Sequence, residues 1–387
     1  MSYEMLHTPS PSQSKKKAPS FQQLWQSICD VMTGMPPLES RGNRPLQMTF
    51  EPQLQSLIYF HLQEHESARY LLQALAEDDF ARQYIAPPQG IKKSSSNEAI
   101  NTRGLEQLIY VYERLRAKAT QVLPTEHTHL GDLVAIDGSL IDAVMSMRWA
   151  DYRKGAKEAK VHLGFDLNHA IPAKIFFTNG KGDERPFVSP ILSPGQTVVL
   201  NRYYQCRRNF DLWQDEGKYF VCRIKARTKK TILHASEITP GGVVFFDAVV
   251  HLGHPYRNQT IKPVRLLGYR IGGAEYWVDT NRFDLAAEDF ALIYKLRWEI
   301  ENFFGWLKQH LKVYHLIARS EYGFMVQILA GLITYLLLAI YCRKHHQEKV
   351  SIRRVRELRI KIQNEARDLD FETPDTQTKL HFLHAKT

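Results

Sequence analysis

The sequence predicts an α/β protein: a mixed five-stranded sheet flanked by helices, with a β-rich insertion and a helical N-terminal domain. Three observations lead there. Residues 21–122 repeat their apolar positions at helical spacing, and residues 133–226 break into short apolar runs separated by turns. Residues 285–342 return to helical spacing after a Gly-containing, β-forming stretch. At 387 residues the chain suits two units, or one large domain with an insertion.

Taken in order, residues 1–20 are rich in Ser, Pro and Lys and predict a disordered tail. FQQLWQSICDVM and LQSLIYFHLQEHESARYLLQALA predict helices, and Pro87-Pro88 ends that block. IKKSSSNEAINTR (91–103) reads as a polar, basic connector, and residues 104–122 as another helix. Residues 21–125 thus form a helical N-terminal domain. It is either a DNA-recognition unit or an accessory bundle, since no clean helix-turn-helix pattern separates the two. LVAIDGSLI (133–141), VHLGFDLN (161–168), IPAKIFFTNG (171–180), TVVLNRYY (197–204) and YFVCRIKA (219–226) predict five strands, with a short helix over 207–217. Residues 227–284 form the β-rich insertion within a domain spanning 130–342. Residues 343–387 make a basic helical tail, whose segment 353–370 suits a DNA or protein contact or a solvated surface.

The formal charge of +10 and pI near 9.3 permit a polyanionic partner without requiring one. The four cysteines, Cys29, Cys206, Cys222 and Cys342, form no C-x-x-C pair, so neither a zinc ribbon nor a disulfide scaffold is indicated. No apolar stretch follows the early lysines as a secretory signal would require, and a cytoplasmic protein is expected. Residues 322–342 are long and apolar enough to span a bilayer, with Gln327 the one strongly polar residue. Without a second such stretch, a helix buried in a large domain is the expectation, and no membrane partner is expected.

The segment 291–313 carries the sharpest signal. On a helical wheel advancing about 100° per residue, Tyr294, Arg297, Glu301 and Lys308 share a stripe about 60° wide. Leu292, Leu296, Ile300, Phe303, Phe304, Leu307 and Leu311 make a separate apolar face. By pattern alone this is equally a surface helix with an Arg297–Glu301 pair at i,i+4. Asp137 is expected at the end of a short apolar strand, where Gly138 lets the backbone turn, and an aspartate so placed is by itself often a simple turn residue.

Order and spacing together resemble a known family. Tyr294-x2-Arg297-x3-Glu301-x6-Lys308 is similar to the Tyr-Arg-Glu-Lys signature of DDE transposases of insertion-sequence family four. IDGS (136–139) resembles that family's first-aspartate motif, and FVCRIKA (220–226) the strand after its second aspartate. The resemblance covers about 130–342 and implies an RNase H-like catalytic domain with 227–284 as its β-rich insertion. It implies cut-and-paste transposition of an insertion sequence, with two Mg²⁺ or Mn²⁺ ions held by carboxylates, because in-line displacement at phosphorus uses hard cations about 4 Å apart. The metal and catalytic positions it implies are Asp137, Asn201 and Glu301. Those it implies for DNA are Tyr294, Arg297, Lys308 and Arg202, with Tyr276 and Trp277 as candidates to stack a flipped base. The implied partners are double-stranded DNA, as terminal inverted repeats and target, and a second copy of the chain in a paired-end complex. The implied setting is the bacterial nucleoid.

The sequence departs from that pattern at one place. Where the family has Asp-Arg-Gly-Tyr, this chain has Asn201-Arg202-Tyr203-Tyr204. Asn201 removes a negative charge, and Tyr203 replaces a residue free to adopt positive φ or to let DNA approach. Asp211 and Asp215 fall on the next helix, and Asp166 and Glu184 have no spacing argument behind them. Two functions follow: a transposase that cuts, or a catalytically inactive relative that grips transposon ends.

Overall fold

A computed structural model of the chain describes residues 20–38 and 45–370, with side chains to residue 365. Apart from Ser20, the tail expected to be disordered lies outside the described residues, as do 371–387 of the C-terminal segment.

Helices α1 (Ser20–Cys29), α2 (Phe50–Leu62), α3 (Ala68–Glu77) and α4 (Asp79–Tyr84) match the first helical block. Residues 91–103, expected as a connector, fold instead into α5 (Lys93–Thr102). Three serines and two asparagines depress its helix propensity, but Ser96, Ala99 and Ile100 are buried and tertiary packing decides. Helix α6 (Leu105–Val122) follows, entered through Gly104 at φ +86°.

The sheet comprises β1 (Leu133–Ala143), β2 (Asp151–Arg153), β3 (Ala156–Asp166), β4 (Ile171–Asn179), β5 (Thr197–Leu200) and β6 (Tyr219–Arg223). The one-turn α7 (Val188–Ile191) precedes β5, and α8 (Arg207–Asp215) joins β5 to β6. The strands run β4-β3-β1-β5-β6, antiparallel on the β3 side of β1 and parallel across β1, β5 and β6. This is the expected mixed five-stranded core, to which β2 adds a short edge. Strand β5 is shorter than expected because Asn201 leaves it to cap a turn. The insertion is not a separate body. Its strands β7 (Lys230–Ala235), β8 (Val244–Leu252), β9 (Val264–Ile271) and β10 (Ala274–Thr280) extend the same sheet, β10 pairing antiparallel with β6, to ten strands among the described residues.

Strand alternation sorts the core. From β1, Leu133, Ala135 and Ile141 face α10 (Trp298–His310) and α11 (Glu321–His346), whereas Val134 and Ile136 face α7 and α8 through Val188, Ile191, Phe210 and Trp213. Helix α9 (Asp289–Leu296) meets α10 at Arg297, so the expected continuous helix is interrupted at one residue of its polar stripe. The apolar stretch expected to be a buried helix is α11. It is long and apolar enough to cross a membrane by length and composition, but it is buried among α2, α5, α6 and β4. Gln327, fully buried, accepts from the Ile317 amide at 2.9 Å and donates to the His315 carbonyl at 2.9 Å. Helix α12 (Ile352–Asp370) packs back on α1 and α4.

Candidate active site

The parallel register of β1 and β5, Ala135 opposite Val199, carries Asp137 and Asn201 to neighbouring positions at one end of the sheet. Across them lies the junction of α9 and α10. The Arg297 guanidinium, 6% exposed, reaches Glu301 Oε1 at 2.7 Å and stands 3.9 Å from Asp137 Oδ2. Three segments far apart in sequence thus meet through Asp137, Asn201 and the Arg297–Glu301 pair.

Asp137 Oδ1 accepts from the Gly138 amide at 3.0 Å and from Asn201 Nδ2 at 3.4 Å. The Asn201 amide oxygen is committed elsewhere, to the Tyr203 amide at 2.8 Å, so Asn201 turns its N–H donors toward the carboxylate. Burial pushes the Asp137 carboxyl up to about 6, and the charges of Glu184 and Glu301 push the same way, against the Gly138 amide and Arg297. Sequence reasoning gave Glu184 no role. A Cβ on Gly138 would lie 2.5 Å from Glu184 Oε1, so only glycine leaves room for that carboxylate beside Asp137. Glu184 is anchored by the Tyr204 hydroxyl, donating at 2.9 Å, and by Lys160 at 3.4 Å. The glycine was the available signal, but nothing in the sequence names what fills its space.

The other candidate residues divide. Tyr294 lies under the Arg297 guanidinium, 5.5 Å from its ring centre. Together with Asn201, Arg202, Arg223 and Lys225 they line an open cleft of about 900 Å³ beside Asp137. Arg223 and Lys225 escaped the sequence reading, although two cations at i,i+2 where β6 ends point to one face. Lys308 sits apart from this cleft. Its half-buried ammonium donates to the Leu140 carbonyl at 2.7 Å, and burial lowers its pKa. Tyr276 and Trp277 face opposite sides of β10. Tyr276 stacks on Tyr269 with centroids 5.5 Å apart and carries the Arg223 guanidinium 4.9 Å above it. Trp277 lies edge-on to Phe245 with the Lys230 ammonium 4.2 Å from its centre. Tyr203 is exposed, its hydroxyl donating to Asp183 at 3.4 Å and its ring under Arg185.

The donor chemistry suits a hard divalent cation: oxygen ligands, and a surplus of acids around Asp137 relieved by one guanidinium. Asp137 and Glu301 both present carboxylate oxygens to Arg297, at 3.9 and 2.7 Å. A third carboxylate is missing, because Asn201 presents nitrogen, and among the described residues no three His, Cys, Asp or Glu side chains converge on one point.

Comparison with known proteins agrees with this architecture. A family model described as "Transposase DDE domain" matches residues 128–337. The chain is 29% identical over 210 residues to the "Probable transposase for insertion sequence element IS5377" of Geobacillus stearothermophilus, covering 53% of this chain and 55% of that protein. A Sinorhizobium fredii protein named as a transposase is 27% identical over 241 residues, 60% of this chain and 67% of its own length. A Synechocystis protein named as a transposase for insertion sequence element IS4SA is 26% identical over 221 residues, 54% and 60%. The chain therefore spans between about half and two thirds of the length of these relatives. With the family's domain covering more than half the chain and its sheet and helices in place, the protein belongs to the DDE transposase family.

Proposed function

We propose that the chain is a member of insertion-sequence family four that grips the ends of its element and cuts and rejoins DNA there. The observation that carries this is the meeting of Asp137, Asn201 and the Arg297–Glu301 pair beside a basic cleft. Asp137 and Glu301 would hold Mg²⁺ or Mn²⁺. A bound divalent ion activates an attacking oxygen and stabilises a leaving one at phosphorus. The rest falls to the chain's own groups. Arg297 fixes the Glu301 carboxylate by their 2.7 Å contact and neutralises part of the acid surplus. Arg202, Arg223 and Lys225 would seat phosphates through charge, whatever the base sequence. Tyr294 holds Arg297 from beneath, and Lys308 braces α10 against β1 through Leu140. Tyr276, beside Arg223, is the better placed of the two candidates for a displaced base; Trp277 faces the other side of the sheet. The helical segment 21–125 would add recognition of the terminal repeats. Two copies of the chain would pair the element's ends.

One observation favours a second reading, in which the chain grips ends without cutting. Asn201 has its amide oxygen tied to Tyr203 and offers Asp137 a donor instead of a third ligand. The test is strand cleavage of a labelled duplex carrying the element's own end, with Mn²⁺ and with EDTA, for the parent and Glu301→Ala. Metal-dependent cleavage lost in Glu301→Ala supports the first reading. Binding without cleavage supports the second, and cleavage that survives Glu301→Ala contradicts both.

A further inference from the structure

Beyond Gln205 the basic cleft continues away from the carboxylates. A second cleft, of about 520 Å³, opens between the chain leaving β6 and the turn joining β8 to β9, and shares Gln205 and Lys225 with the first. Its walls carry Arg207, Lys225, Arg227, Lys229 and Arg257, with no carboxylate among them. Among the described residues, none of these five side chains forms an ion pair or a side-chain hydrogen bond. That is unlike cations elsewhere in the fold, such as Arg265 on Asp247, Lys118 on Asp30, or Arg354 between Glu348 and Glu357.

The walls are held in place while the charges are left free. Gln205 donates to Thr228 Oγ1 at 2.9 Å and accepts from the Lys225 amide at 3.2 Å. The Gly253 amide donates to the Lys229 carbonyl at 2.7 Å, and Asp211 takes the amides of Ile261 and Lys262 at 3.0 and 2.9 Å. Five like charges fixed around one space repel one another, a cost that a polyanion removes. No Phe, Tyr or Trp lines this cleft, so it lacks the rings on which single-stranded bases stack.

We propose that this second cleft seats the phosphodiester backbone of duplex DNA continuing from the cut, which makes the sheet extension a DNA-holding arm of the catalytic face. The inference rests on the reading that the first cleft holds DNA. Its ligand chemistry is shared by the element side and the flanking side of the cut, and the test separates them.

Arg227, Lys229 and Arg257 are exposed, and Arg227→Ala, Lys229→Ala and Arg257→Ala are combined in the full chain. Affinity is measured by fluorescence anisotropy against salt. The probes are a duplex spanning the element's end with its flank and two versions, each trimmed to the cut on one side. With about 0.9 of slope per phosphate contact, the triple variant loses roughly 2 to 3 from the log K against log salt slope on the full duplex, and its affinity falls roughly tenfold or more. Arg227→Lys with Arg257→Lys keeps the slope. The trimmed probe on which parent and variant no longer differ identifies the side that the cleft holds. An unchanged slope and affinity on the full duplex, while Arg202→Ala with Arg223→Ala weakens binding, overturns this proposal and leaves the reading beneath it standing. A parent that binds none of the duplexes overturns both.

Discussion

Gln327 on α11 and the groups at the end of the sheet around Asp137 are both buried and polar, but their surroundings treat them differently. In the α11 layer Gln327 has its oxygen and its nitrogen matched to backbone partners. At the sheet end Arg297 buries a guanidinium whose Nε has no hydrogen-bond partner among the described residues, Asp137 is pushed up to about 6 chiefly by burial with the neighbouring acids adding to it, and Asn201 turns its donors on that carboxylate. Behind that face, Asp279 on β10 is fully buried, and among the described residues neither of its oxygens has a hydrogen-bond partner. A satisfied polar group specifies packing; an accumulation of unsatisfied ones stores interactions for something outside the chain.

Gln327→Leu attacks the satisfied side and carries the largest expected effect. It orphans the Ile317 amide and the His315 carbonyl, costing about 2–4 kcal/mol, read as a lower urea midpoint at unchanged slope. An unchanged midpoint would remove the contrast on that side.

Asp279→Asn probes the unsatisfied side and has the opposite sign. Burial raises the Asp279 carboxyl well above its ordinary value. The fold therefore keeps it protonated, unfolding releases the proton, and its contribution to stability declines as pH rises above about 4. The variant is expected to be more stable than the parent at pH 8, by about 1 kcal/mol or a few degrees in Tm, and the gap closes toward pH 4. A variant less stable at pH 8 would mean that Asp279 has a partner after all.

Glu184→Gln is a smaller, local perturbation. Burial is the main cause of the raised Asp137 carboxyl, and the Glu184 charge adds to it. The substitution moves the Asp137 titration midpoint below about 6, followed by carboxyl carbon NMR. A midpoint that stays put would separate Glu184 electrostatically from the site.

The part of this molecule that was legible in the sequence is the part written in local periodicity. The five core strands, α8, the buried α11 and the stripe through Tyr294, Arg297 and Glu301 follow from alternation and helical spacing. The first strand does not end at Asp137 as expected: β1 runs on to Ala143, still paired with β3, so Asp137 lies inside it. Three features were not legible. α5 forms from a Ser- and Asn-rich segment because its buried face packs on α11, which propensity does not record. The insertion joins the main sheet because β10 pairs with β6, a partnership among residues more than 50 apart. The space above Gly138 is filled by Glu184, a side chain from a loop whose path no spacing rule predicts. The stripe on α9 and α10 is read only in part: Lys308, which shares its face by spacing, is turned to a backbone carbonyl on β1.

The measurement that bears most directly on the sheet end is the rate of Mn²⁺-dependent cleavage of the element's own end by the parent, by Asn201→Asp, and by Asn201→Asp with Tyr203→Gly. The account predicts that the added carboxylate raises the rate, further with glycine at 203, and that Glu301→Ala abolishes the gain. A revertant no faster than the parent would contradict it, because the corner formed by Asp137, residue 201 and Glu301 would then not be where the chemistry is limited.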